Sequence, residues 1–219
     1  MSKAQDRFDE NAREIARLLE IHQEIAGSGP GRKHDVEVLN KSAIVLITSF
    51  WEAFCEDLAE EGLEHLVQHA KDASALPDQL KKDVASELKQ EAHGLAVWKI
   101  ADGNWRQEIR NRMQKMTEQR NRKLNTPKTA QINQLFLGAL GLEKVSAKWQ
   151  WSNMSSESAG EKLDRLVSLR GSIAHRGVAD DTVYKADVKD YQRFVGELSK
   201  KTTNTVSVFV STATGVPMD

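Results

Sequence analysis

The sequence predicts an all-α fold, a helical bundle built around a long central helix and a long C-terminal helix. Three observations point to it. Apolar residues recur at three- and four-residue spacing along most of the 219 residues, no region sustains strand-like alternation, and Gly- or Pro-containing breaks separate the periodic stretches. The chain divides as one domain, with an N-terminal helix and Gly-rich linker at 1–33, a core bundle at 34–200, and the end of the last helix with a tail at 201–219.

In "FDENAREIARLLEIHQEIA", Phe8, Ile15, Leu18, Leu19 and Ile25 line one helical face, and "GSGPGRK" ends the pattern. From about residue 35 a long helix runs through Leu39, Ala43, Leu46, Phe50, Phe54 and Leu58 and past Leu66. Its middle, "SAIVLITSFWEAF", is apolar on most sides, as a helix packed all round must be. Pro77 ends that region, and a weaker helix follows to about His93. A basic helix is expected from about Trp105 to Gln119. "NTPK" then predicts a restart with Thr126 as N-cap and Pro127 in the first turn.

"AQINQLFLGALGL" reads as a short apolar helix closed by glycine, and "KWQWSNMSSES" as a loop. Ser158 and Glu161 have capping-box spacing for the next helix, which carries Leu163, Leu166, Val167 and Ile173 and stops where Gly177 can take a left-handed cap. In the last helix Val188, Tyr191, Val195, Leu198, Thr202, Thr205 and Phe209 form a heptad-like seam that runs through the strand-like composition of "TVSVFV".

Composition narrows the function. A net charge of −1 gives no whole-molecule attraction to polyanions, so any such attraction must be local. The single cysteine, Cys55, has no partner for an internal disulfide, which fits a reducing compartment, and a cytoplasmic location is expected. "MSKAQDRFDE" lacks a signal-peptide pattern and the longest apolar run, Ala43 to Ile47, is too short to span a bilayer, so no membrane role is expected.

Several features compete as chemical sites. "GSGPGRK" lacks the preceding strand and Gly-Lys-Ser/Thr of a phosphate loop and reads as a linker. Glu61, His65 and His69 lie at one-turn spacing and offer a metal three ligands, against the simpler reading of a solvated polar face; no metal or cofactor is expected. Cys55 has nothing nearby to stabilise a thiolate and reads as a small buried hydrophobe.

Between Trp105 and Lys128 stand Arg106, Arg110, Arg112, Lys115, Arg120, Arg122, Lys123 and Lys128 against Glu108 and Glu118, a local charge of +6. Such a patch attracts phosphate backbones, and Trp105 would add a base-stacking surface. The alternative is a helix face balanced by the acidic run Glu52, Glu56, Asp57, Glu60, Glu61 and Glu64.

The stretch "SLRGSIAHRG" ends an amphipathic helix with Arg170, Gly171, Ser172, His175 and Arg176. Arg170 and His175 are five residues apart, so on an ideal helix they point roughly 140° apart and cannot form a compact pair within one chain. Gly171 costs about 1 kcal/mol of helix stability against alanine, and it lets another backbone or a phosphate approach closely. The geometry suggests a site completed from elsewhere. Ser172, one turn from His175, is placed to orient its ring, and Arg176 is either a further cation for RNA or a last-turn charge favoured by the helix dipole.

"LRGSIAHRG", with "LITSFWEAFCEDL", "TPKTAQINQLFLGALGL", "KWQW" and "EKLDRLVSLRGSIAHRG", resembles the HEPN superfamily and its RiboL-PSP-HEPN branch, over residues 40–195 or so. The resemblance implies an all-α homodimer that brings two Arg-His motifs into one cleft. It also implies metal-independent endoribonuclease activity on RNA, with Arg170 and His175 as the catalytic pair, often in a toxin or antiviral defence setting with an antitoxin or other protein partner. Gly171 departs from the pattern, since many active members carry a polar residue there; a non-catalytic module that binds RNA or a protein is the alternative.

Overall fold

The computed structural model describes residues 2–26, 36–121, 126–176 and 182–218, without the side chains of residues 26, 119–121, 175 and 176. Among the described residues the chain forms seven α-helices: α1 (Lys3–Ala26), α2 (Glu37–His69), α3 (Asp78–Gln90), α4 (Trp105–Asn121), α5 (Thr129–Leu140), α6 (Ser156–Arg176) and α7 (Lys185–Thr214). Short 3₁₀ turns follow α2, α3 and α5. Trp151 and Met154 make an isolated antiparallel bridge in the segment read as a loop.

α2 is the axis of the bundle and touches α1, α4, α5, α6 and α7. By length and composition it would suffice to cross a bilayer, but Ile44, Trp51, Cys55, Leu58 and Leu66 are fully buried among the other helices, so its apolar surface is spent on the core. Burial of each large side chain there contributes about 1.5–3 kcal/mol. Trp51 meets Trp149 edge-on at 5.9 Å and Phe54 at 5.7 Å, and Phe54 meets Phe8 of α1 at 5.3 Å. A methyl group on Gly62 would lie 3.0 Å from Val206 and 3.1 Å from Leu140, so its missing side chain lets α2, α5 and α7 close up.

α1 runs antiparallel to α2. Glu61 of α2 accepts from the backbone N–H groups of Lys3 and Ala4, both at 3.0 Å, and from the Ser2 hydroxyl at 2.9 Å. The carboxylate thereby satisfies the first turn of α1 and opposes the positive end of its dipole. α7 also runs antiparallel to α1, linked by Gln5 to Ser199 at 3.1 Å and Lys185 to Gln23 at 2.6 Å.

Three expected element details change. α5 begins at Thr129, with Lys128 rather than Thr126 at its N-cap, because the Pro127 carbonyl accepts the Trp51 indole N–H at 3.3 Å. The Thr129 N–H donates instead to Asp164 of α6 at 2.8 Å, a cap supplied from a distant helix. α6 begins at Ser156, and the Ser155 hydroxyl accepts the Ser158 N–H at 3.1 Å, so the cap lies three residues before the Ser158–Glu161 box. On α7 the buried series runs Val188, Val195, Leu198, Thr202, Val206 and Val210, while Tyr191, Thr205 and Phe209 are only half-buried. After Leu198 the interval settles at four residues on the face packed against α2, in place of the alternating three-and-four seam. Gly141 closes α5 in the left-handed region, at φ 76°, as expected; Gly177 lies outside the described residues.

Candidate active site at the end of α6

α6 is pinned at its N-terminal half. Lys162 pairs with Asp190 at 2.6 Å and lies 4.9 Å from the Phe194 ring, which ties α6 to α7. Asp164 caps α5, and Gly160 offers its carbonyl to the Thr129 hydroxyl at 3.1 Å. Leu163, Leu166, Val167 and Ile173 form the buried stripe. Arg170 falls on that stripe by spacing, and it is half-buried with its Nε fully covered and without a hydrogen-bond partner.

The helix continues unbroken from Ser156 to Arg176, so the backbone keeps Arg170 and His175 on different sides of α6, roughly 140° apart. Among the described residues nothing meets Gly171: a Cβ there would have no described neighbour within 4 Å. Ser172 is half-buried. The side chains of His175 and Arg176 lie outside the described part of the structure.

The junction of α1, α2 and the start of α7 holds two polar residues the sequence analysis did not single out. Asn40, in the first turn of α2, donates from Nδ2 to the Val183 carbonyl at 2.9 Å, just ahead of α7. His22, near the end of α1, is 9% exposed. Burial, reinforced by the charge of Lys185, holds its pKa below the ordinary histidine value. Each is a polar residue at a core-facing position of an otherwise apolar stripe, and that signal was present in the sequence.

Among the described residues of the basic helix, three cations are engaged within the fold, and the Arg110–Glu64 pair matches the balanced-face alternative. Arg106 turns inward and donates to the Val67 and Ala70 carbonyls at 3.0 and 2.8 Å, capping the C-terminus of α2, and its guanidinium lies 4.2 Å from the Trp105 ring. Trp105 is itself buried, so it offers no platform to a base. Arg110 makes a two-pronged pair with Glu64 at 2.6 and 2.9 Å, and this contact pulls the Glu64 pKa down. Arg112 is buried, donating to Glu87 at 2.8 Å and to the Gly138 carbonyl. These three cations are spent on holding α4 to α2, α3 and α5. Lys115 alone of the first four is exposed. The Arg120 side chain, Arg122 and Lys123 lie outside the described residues.

Two members of the suggested metal trio are likewise engaged. Glu61 caps α1, and the His65 Nε2 lies 3.0 Å from the Val216 carbonyl and 3.2 Å from the Thr214 hydroxyl, holding the tail. No group of three or more His, Cys, Asp or Glu side chains among the described residues is arranged to hold a metal ion. Cys55 is fully buried, and burial, then the neighbouring carboxylates, push its thiol pKa well up.

A family model described as RiboL-PSP-HEPN matches residues 6–207, a span that includes all of α6 and its Arg170–His175 ending. No curated protein and no solved structure matches the chain.

Proposed function

The chain belongs to the RiboL-PSP-HEPN family, and on that premise we propose that it is a metal-independent endoribonuclease whose site forms when two copies bring their α6 ends together. The observation that carries the reading is the Arg170-to-His175 ending of a continuous α6, within a family match that covers nearly the whole chain. The two residues diverge around their own helix, so one chain cannot close them on a single phosphate; a second α6 can. The open side of Gly171 leaves room for that approach.

RNA carries its own nucleophile. The 2′-hydroxyl attacks the adjacent phosphorus, the P–O5′ bond breaks, and a 2′,3′-cyclic phosphate and a 5′-hydroxyl result. The step needs a base for the 2′-proton, an acid for the departing oxygen, and positive charge on the phosphorane. Imidazole titrates in the useful range, so one His175 takes the proton and the other delivers one. The Arg170 guanidinium, permanently charged and forked, stabilises the non-bridging oxygens. Arg176 and Lys115 contribute attraction to the RNA backbone.

The test is cleavage of total RNA in EDTA by wild type, His175→Ala and Arg170→Ala, with the molar mass measured in solution. Chelator-resistant cleavage by a dimer, lost in both variants, is the expected result. Equal cleavage by His175→Ala, or none by wild type, rejects it. Gly171 favours a second reading, a HEPN module that binds RNA or an antitoxin-like protein without turnover; salt-sensitive RNA binding with no cleavage would select it.

A further inference from the structure

α7 carries two stripes, and the bundle uses one. Leu198, Thr202, Val206 and Val210 are buried, and α7 packs on α2. Beside them Lys201, Thr205, Val208 and Thr212 recur at four-, three- and four-residue intervals, the spacing with which one helix pairs with another. This second stripe floors a groove of about 680 Å³ and extends over three helical turns, about 16 Å. Val208, at its centre, is 58% exposed, and Phe209 beside it is half-buried. Thr205 and Thr212 donate their hydroxyls to the Lys201 and Val208 carbonyls, both at 2.7 Å, so neither proton needs an outside acceptor.

The opposite wall is the chain around the end of α5. The Trp149 indole donates to Thr202, which brings Lys148 and Gln150 to the Lys201 turn of α7, where both line the groove. One turn further, a methyl on Gly62 would touch both Val206 and Leu140, so α5 ends against α7 there. Leu142 and Pro77 continue that wall as apolar surface. The groove is therefore cationic toward Lys201 and apolar beyond it.

The charge is one-sided. Among the described residues Lys148 and Lys201 are the only charged side chains lining the groove, and neither makes an ion pair. An identical copy laid face to face would bring two more lysines and no carboxylate. An RNA would find only two cations over a floor of Val208, Phe209 and Ala213. A partner helix with an apolar face and an acidic end matches both halves: its side chains pack into the stripe, and its carboxylates meet the lysines.

We propose that this groove docks an amphipathic helix of a partner protein, with apolar residues spaced over three turns against Val208 and Phe209 and acidic residues at the end that meets Lys148 and Lys201. The surface is separate from the Arg170–His175 ending, and the proposal stands whether or not that ending cleaves RNA.

The test selects helix-forming peptides of about 15 residues, long enough to cover the groove, on the full-length chain and counter-selects them on Val208→Asp. Enrichment of apolar residues at i, i+4 and i+7, with Asp or Glu near one end, is the expected result. A selected peptide, labelled for fluorescence anisotropy, should bind Val208→Asp roughly tenfold or more weakly than wild type. The double variant Lys148→Glu, Lys201→Glu should weaken it about tenfold, and about 0.5 M salt should weaken wild type toward that level. Both variants should unfold thermally as wild type does, because Val208 and Lys148 are exposed.

No peptide that distinguishes wild type from Val208→Asp, or an enriched set without acidic residues, overturns the proposal. So does binding that ignores reversal of the two lysines. A solution molar mass that falls on Val208→Asp gives the groove to a second copy, and dodecanoate binding there more tightly than any selected peptide gives it to a lipid-like anion; either result also overturns it. RNA cleavage is read separately, so its absence rejects the nuclease reading and leaves the groove standing.

Discussion

The Trp149 indole N–H donates to the Thr202 hydroxyl at 2.9 Å, and the same hydroxyl donates to the Leu198 carbonyl at 2.7 Å. Both residues are fully buried, so this relay ties the segment after α5 to α7 in the dry centre of the bundle. Thr202→Val keeps the shape and removes the acceptor, leaving a buried indole N–H unpaired. It should cost about 1–3 kcal/mol in urea unfolding. Thr202→Ser keeps the hydroxyl and should cost less.

The inward arginines and the exposed lysine of α4 should behave oppositely. Arg112→Ala strips a buried guanidinium from Glu87 and Gly138 and should destabilise the fold by about 2–3 kcal/mol in denaturant unfolding. Arg110→Ala, in a pair about 40% exposed on both sides, should cost less than about 1 kcal/mol. Lys115→Ala should leave stability unchanged and reduce the salt slope of RNA binding by about one unit.

Two helical glycines should respond in opposite directions to alanine. Among the described residues none lies within 4 Å of where a Gly171 Cβ would go, so Gly171→Ala should raise the stability of the isolated chain by about 0.5–1 kcal/mol through helix propensity alone. At Gly62 the new methyl meets fully buried Val206 and Leu140 at 3.0 and 3.1 Å, and Gly62→Ala should destabilise by about 1–3 kcal/mol. Thermal unfolding of the pair reads the difference. If Gly171→Ala also weakens self-association, the face belongs to the dimer.

His22 should make the fold sensitive to mild acid. Its pKa is depressed in the folded state, chiefly by burial. As pH falls through about 6.5 the unfolded chain therefore binds the proton first, and stability declines until the folded pKa is also passed. His22→Gln, unable to titrate, should flatten that decline. Urea unfolding of both proteins between about pH 7.5 and 5 measures it.

The sequence by itself determined that the chain is helical, where the central and C-terminal helices run, and that α6 ends in the Arg170–His175 spacing. Periodicity reports which face of a helix is apolar, and that information is local. It also placed Gly141 as a helix stop, because a left-handed cap is a property of the residue.

Tertiary structure alone decided who partners whom. Asp164 rather than Thr126 serves the start of α5, Glu61 caps α1 instead of waiting for a metal, and Glu64, Glu87 and the Val67 and Ala70 carbonyls at the end of α2 engage three arginines. A count of charges could not separate these cations from Lys115, because direction around a helix matters only once its neighbours are known.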